Sequence, residues 1–157
     1  MSFTPSNGTR LFIGGPVAET VDTVTEYAAL TWTEVQGLKS VGAFGDTATP
    51  VTSKWLNRNR EFKKKGTFDG GSPAFVVDMI QDDPGQMLVE AALADPSDYA
   101  FKIEIPNRPG ASGKNGLRYF SGQVMSFPEE IGAADSPITS TFGVGVNTPV
   151  LKVAPTA

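Results

Sequence analysis

Six cations, Lys54, Arg58, Arg60, Lys63, Lys64 and Lys65, fall within one short stretch around Trp55 and Phe62, in a chain whose formal net charge is −4. Cations interleaved with aromatics suit contact with an acidic surface, either nucleic-acid phosphate or a carboxylate-lined partner, with the rings as apolar anchors. The plainer alternative is a solvated charged face. Asp82, Asp83, Asp95, Asp98, Glu129 and Glu130 invite a reading as metal or glycosidase carboxylates. They stand at a helix start or in loops, however, where Asp caps backbone N–H groups, and capping is the reading adopted.

Histidine and cysteine are both absent. That removes the commonest general base, the commonest transition-metal ligand, thiolate chemistry and every Ser-His or Cys-His nucleophile pair. Gly14-Gly15 and the glycines between Pro106 and Gly116 lack the strand-to-helix setting of a phosphate loop and are read as turns. Trp32, Phe101, Tyr119 and Phe120 fall in strand-like runs, where aromatics are core or cross-strand partners more often than stacking platforms. An enzyme is therefore disfavoured, and no cofactor or metal is expected.

The elements that must hold these residues are short. A chain of 157 residues with 17 Gly and 12 Pro is punctuated too often for long helices and suits one domain with a core that needs no staples. No apolar run approaches the length of a membrane span, and Met1 to Arg10 lacks a secretory signal, so a soluble, cytoplasmically made protein with no membrane partner is expected.

Along the chain, residues 1–8 are polar and expected to be mobile, and Thr9 to Ile13 reads as the first strand. Thr31 to Gln36 and Leu38 to Val41 read as two strands or one bent strand. Between Gly45 and Pro73 the apolar period disappears, and the reading is a long basic loop, disordered or functional. Ala74 to Ile80 reads as a central strand covered on both faces. Asp83-Pro84-Gly85-Gln86 carries the pieces of a capping box, opening a short helix with Met87, Leu88, Ala91 and Ala92 on its packed side.

Tyr99, Phe101, Ile103 and Ile105 alternate with Lys102 and Glu104 as a half-buried strand, paired in a long hairpin with Leu117 to Phe127. Ile138, Phe142, Val144 and Val146 alternate likewise, and Val150 to Val153 closes the chain. The fold class is mainly β: a β-sandwich or partly open barrel of about seven strands, one flanking α-helix and a long inter-strand loop.

This order resembles the major tail tube proteins of long-tailed, non-contractile bacteriophages. The resemblance is carried by Ala100 to Asn107, Tyr119 to Val124 and Ile138 to Val144, which look like recurring strand runs of that family, and it extends upstream through Thr31 to Leu93. It implies a structural subunit of the virion tail in which six copies close into a ring and rings stack into a tube that conducts DNA into the host. Its partners would be copies of itself, the tape measure, terminator and distal tail proteins, and DNA passing without specific binding. The basic loop would bridge rings through Lys54, Trp55, Arg58, Arg60, Phe62, Lys63, Lys64 and Lys65, ordering only on assembly. Because the chain stops soon after its last strand, no C-terminal decoration domain is expected.

Strand alternation makes Glu34, Asp78 and Glu104 the candidates to face the channel. Two other functions compete: a monomeric binding module for carbohydrate or nucleic acid that stacks ligands on Trp55 or Trp32, and another tail part such as a terminator. A stable monomer would favour the binding module.

Overall fold

The computed structural model describes residues 2–157. In chain order the elements are β1 (Arg10–Pro16), α1 (Val24–Ala28), β2 (Thr33–Val35), β3 (Leu38–Val41), β4 (Thr47–Ser53), β5 (Phe62–Asp69) and β6 (Ala74–Asp78). They continue with α2 (Pro84–Ala94), β7 (Tyr99–Ile105), β8 (Gly116–Ser126), β9 (Glu129–Glu130), β10 (Thr139–Val146) and β11 (Leu151–Val153).

Nine strands form one antiparallel sheet whose main path runs β2-β1-β7-β8-β10-β6-β3, with β11 paired to β8 and β9 to β10. The two ends of that path, β2 and β3, are consecutive in the chain and separated only by Gln36 and Gly37. Two residues cannot cross an open sheet, so the sheet must curl until its edges meet. The result is a barrel left open at one seam.

The interior is written by alternation. Leu11 and Ile13 of β1, Phe101 and Ile103 of β7, Phe120 and Val124 of β8, Phe142 and Val144 of β10, and Phe75 and Val77 of β6 all turn inward to one core. Phe101 lies opposite Phe120 across the β7–β8 hairpin, with ring centroids 5.5 Å apart, and Phe75 and Phe142 stack at 5.0 Å.

α2 plugs the seam. Its buried stripe is Gly85, Gln86, Val89 and Ala92, so Met87 points out and is exposed. The apolar face is rotated by about one position from that expected, because Gln86 turns inward to bond three backbone groups. Only half of the anticipated capping box forms: Asp83 Oδ2 accepts from Gln86 N–H at 3.0 Å, while the Gln86 side chain is committed elsewhere. Asp83 Oδ2 also accepts from Gln36 N–H at 3.0 Å, tying the helix start to the β2–β3 turn.

Three further expectations are corrected. Among the described residues there are eleven strands and two helices, not about seven and one. α1 carries the full capping box, Thr23 with Glu26, and closes a second apolar cluster on the outer face of the sheet. β6 lies next to the edge and is buried on one face only. Residues 45–73 are not a structureless loop: they hold the β4–β5 hairpin, which pairs with no other strand.

Candidate functional site

The basic cluster sits on the β4–β5 hairpin. With seven residues in β4 and eight in β5 at about 3.4 Å each, this arm extends roughly 24 Å, with its turn beyond. Pro50 sits beside a register shift, tolerable because neither outer edge of the arm is paired. Val51, Ser53, Phe62 and Lys64 share one face, whereas Pro50, Thr52, Lys63 and Lys65 share the other, so the three lysines put charge on both sides. Cross-strand pairing supplies the local stability: the arm has no share of the main core.

At its tip Trp55 and Phe62 meet at 4.9 Å between centroids, and the Arg58 guanidinium lies 5.4 Å and 5.2 Å from their rings. Lys54 and Glu61 pair at 3.1 Å across the neck. Trp55 is half exposed, Leu56 is fully exposed, and Val51 and Phe68 are each about 60% exposed. Trp55 and Leu56 give the end of the charged arm an exposed apolar surface, with Val51 along the arm and Phe68 at its base, and the tip suits insertion into another surface. Arg60, Lys63, Lys64 and Lys65 are unpaired by any carboxylate among the described residues. Leu56 was not singled out in the sequence, since an isolated leucine in a charged run carries no periodic signal.

The three candidate channel residues are not brought together. Glu34 and Glu104 share the outer face of the β2-β1-β7 region, where Arg10 lies between them: its guanidinium is 2.8 Å from Glu34 and 3.3 Å from Glu104. The Arg10 hydrogen bond, opposed by partial desolvation, holds the Glu34 carboxyl below its ordinary value. Beside them Lys102 lies 4.3 Å over the Phe12 ring and 5.2 Å from that of Trp32, and its desolvation there lowers its pKa. Asp78 lies apart on β6, with Lys39 Nζ at 3.4 Å in an ion pair without hydrogen-bond geometry.

The remaining carboxylates behave as caps and clips. Asp95 accepts from Ser97 N–H and Tyr99 Oη–H, each at 2.9 Å, and Asp98 accepts from Asn147 at 3.1 Å. Among the described residues no three acidic side chains converge as metal ligands, and no helix is long and apolar enough to cross a membrane. Phe101 and Phe120 are core residues, and Tyr119 stacks on Tyr27 at 5.5 Å in the outer cluster. Trp32 donates its indole N–H to the Tyr27 carbonyl at 3.0 Å.

The chain matches no protein-family model and no curated protein by sequence. Its fold does match solved structures. A chain of the SPP1 tail tube aligns with a TM-score of 0.70 at 13% identity, over 96% of this chain and 80% of that one. A chain of the anti-feeding prophage baseplate, a structure with sixfold symmetrisation, gives 0.67 at 9% identity over 98% and 97%. A chain of the PVC sheath–tube complex of an extracellular contractile injection system gives 0.66 at 12% over 97% and 92%. At such low identity the likeness lies in the path of the chain and not in its side chains, and this chain has the fold of a tail tube protein.

Proposed function

We propose that this protein is a structural, non-enzymatic subunit of a bacteriophage tail tube. Six copies close into a ring, rings stack, and the stack forms the channel through which DNA leaves the virion. The observation that carries the reading is a tail-tube fold over nearly the whole chain with a basic, apolar-tipped arm standing off the barrel. The sixfold-symmetrised baseplate structure supports six as the number of copies. The arm is the inter-ring contact: Lys54, Arg58, Arg60, Lys63, Lys64 and Lys65 steer it, and Trp55, Leu56 and Phe62 provide adhesion.

Glu34, Asp78 and Glu104 remain the candidates to line the channel, although Arg10 and Lys102 beside the two glutamates, with Arg108 and Lys114 in the same groove, leave that surface net positive. Tape measure, terminator and distal tail proteins are the further partners, and the virion tail is the location.

The test is negative-stain microscopy of concentrated purified protein with light scattering alongside. Hollow rings or tubes are expected. A strictly monomeric species at high concentration refutes the proposal and returns the chain to the class of monomeric binding modules.

A further inference from the structure

We infer that the arm of one copy docks in a shallow groove between α2 and β9 of a second copy, a pairing that rests on the tube reading above and names its acceptor. The groove is lined by Met79, Ile80, Met87 and Phe127, with Glu90 and Glu129 as its charged residues and no cation. Met87 is 58% exposed, Met79 41% and Ile80 37%, an apolar patch with nothing on it. Its volume is about 90 Å³, enough for one side-chain end.

Two observations select the arm as occupant. The first is charge. Residues 47–69 hold six cations and two anions, Glu61 and Asp69, for a net of +4; since the whole chain is −4, the rest of it carries −8. A basic arm with an apolar tip therefore matches an apolar groove bordered by glutamates. A larger groove, lined by Arg10, Lys102, Arg108 and Lys114 against Glu104, would repel it.

The second observation is placement. The arm returns to the barrel at Gly70 and Gly71, where Val146 N–H bonds the Gly71 carbonyl, just before β6 begins. The groove lies past the other end of β6, where Met79 N–H bonds the Ile138 carbonyl and β9 pairs with Thr139 and Ser140. Donor and acceptor thus occupy opposite ends of one strand. An interface between unlike patches at opposite ends is heterologous and propagates head to tail, as a stack requires, instead of closing as a two-fold dimer.

Because the chain has no cysteine, cross-linking is clean. The double variant Leu56→Cys with Met87→Cys, both exposed positions, is oxidised under assembly conditions and run on a non-reducing gel, with the same sample imaged. A control pairs Leu56→Cys with Lys114→Cys in the basic groove. A covalent ladder from the first pair and none from the control supports the docking.

In parallel, Glu90→Lys with Glu129→Lys is expected to slow assembly about tenfold at low salt, with recovery when combined with Lys63→Glu and Lys64→Glu. Tubes that form without the 56–87 cross-link, or with the 56–114 cross-link, overturn the groove and leave the tube reading standing. Absence of any polymer overturns both.

Discussion

Gln86 ties α2 to the two regions that meet at the barrel seam, and Gln86→Ala tests what that tie contributes. Its carboxamide accepts from Ile80 N–H at 3.1 Å and donates to the Gln36 carbonyl at 2.9 Å and the Asp78 carbonyl at 2.8 Å, so one side chain joins α2, the β2–β3 turn and the end of β6. The residue is only 6% exposed, so water cannot easily replace the lost partners. At about 1 kcal/mol for each of three hydrogen bonds, plus about 0.8 kcal/mol for the buried methylene removed, the expected loss is about 3 to 4 kcal/mol. For a chain of this length that lowers Tm by about 10 °C.

Urea unfolding followed by Trp fluorescence measures it, with Trp32 reporting the barrel. Gln86→Glu is the companion: the carboxylate keeps the acceptor for Ile80 but presents charge to two carbonyls. It should cost at least as much at neutral pH and recover partly on acidification, as the carboxyl regains a donor. A loss under about 1 kcal/mol for Gln86→Ala would refute the claim that these bonds close the seam.

Four further outcomes are expected. Reversing Lys63, Lys64 and Lys65 to Glu leaves the unfolding midpoint unchanged, because the arm shares no core with the barrel, but slows polymerisation, most at low salt; normal growth rates by light scattering would reject the arm as the contact. Gly85→Ala would drive a methyl into the Glu34 carbonyl and to 2.7 Å from Val35 Cα, costing about 1 to 3 kcal/mol by the same urea assay. Tyr27 Oη is buried with no hydrogen-bond partner among the described residues, so Tyr27→Phe should be neutral or stabilise by up to about 1 kcal/mol.

The Arg10–Glu34 pair sets an acid-side dependence. Its carboxyl titrates below the ordinary 4.5, so its stabilisation is present above that value and is lost as pH falls through the lowered one. The pair is partly exposed, so the effect is at most about 1 kcal/mol. Wild type and Glu34→Gln should differ at neutral pH and converge in acid-unfolding curves as pH falls through the lowered value.

Much of the fold was legible because much of it alternates between water and one core. Tyr99 to Ile105, the β7–β8 hairpin, β10 and the helix start at Asp83-Pro84 all follow from local rules of period and capping. The absence of histidine and cysteine set the limits on chemistry without any coordinates. The β4–β5 arm was not legible as structure: a hairpin with no buried face has no apolar period, since no core selects one.

The basic cluster itself was visible as composition, but not that Lys63, Lys64 and Lys65 point to both faces of a hairpin, nor that Leu56 caps its tip. Three decisions belonged to tertiary structure alone. Gln86 turns inward because carbonyls of β6 and the β2–β3 turn converge there, groups far apart in sequence. Glu34 and Glu104 share a salt bridge to Arg10 because β1 lies between β2 and β7, and register is a property of pairing. The groove of Met79, Met87 and Glu129 exists only because α2 and β9 meet past the end of β6, so the surface proposed to receive the arm is written nowhere in the order of residues.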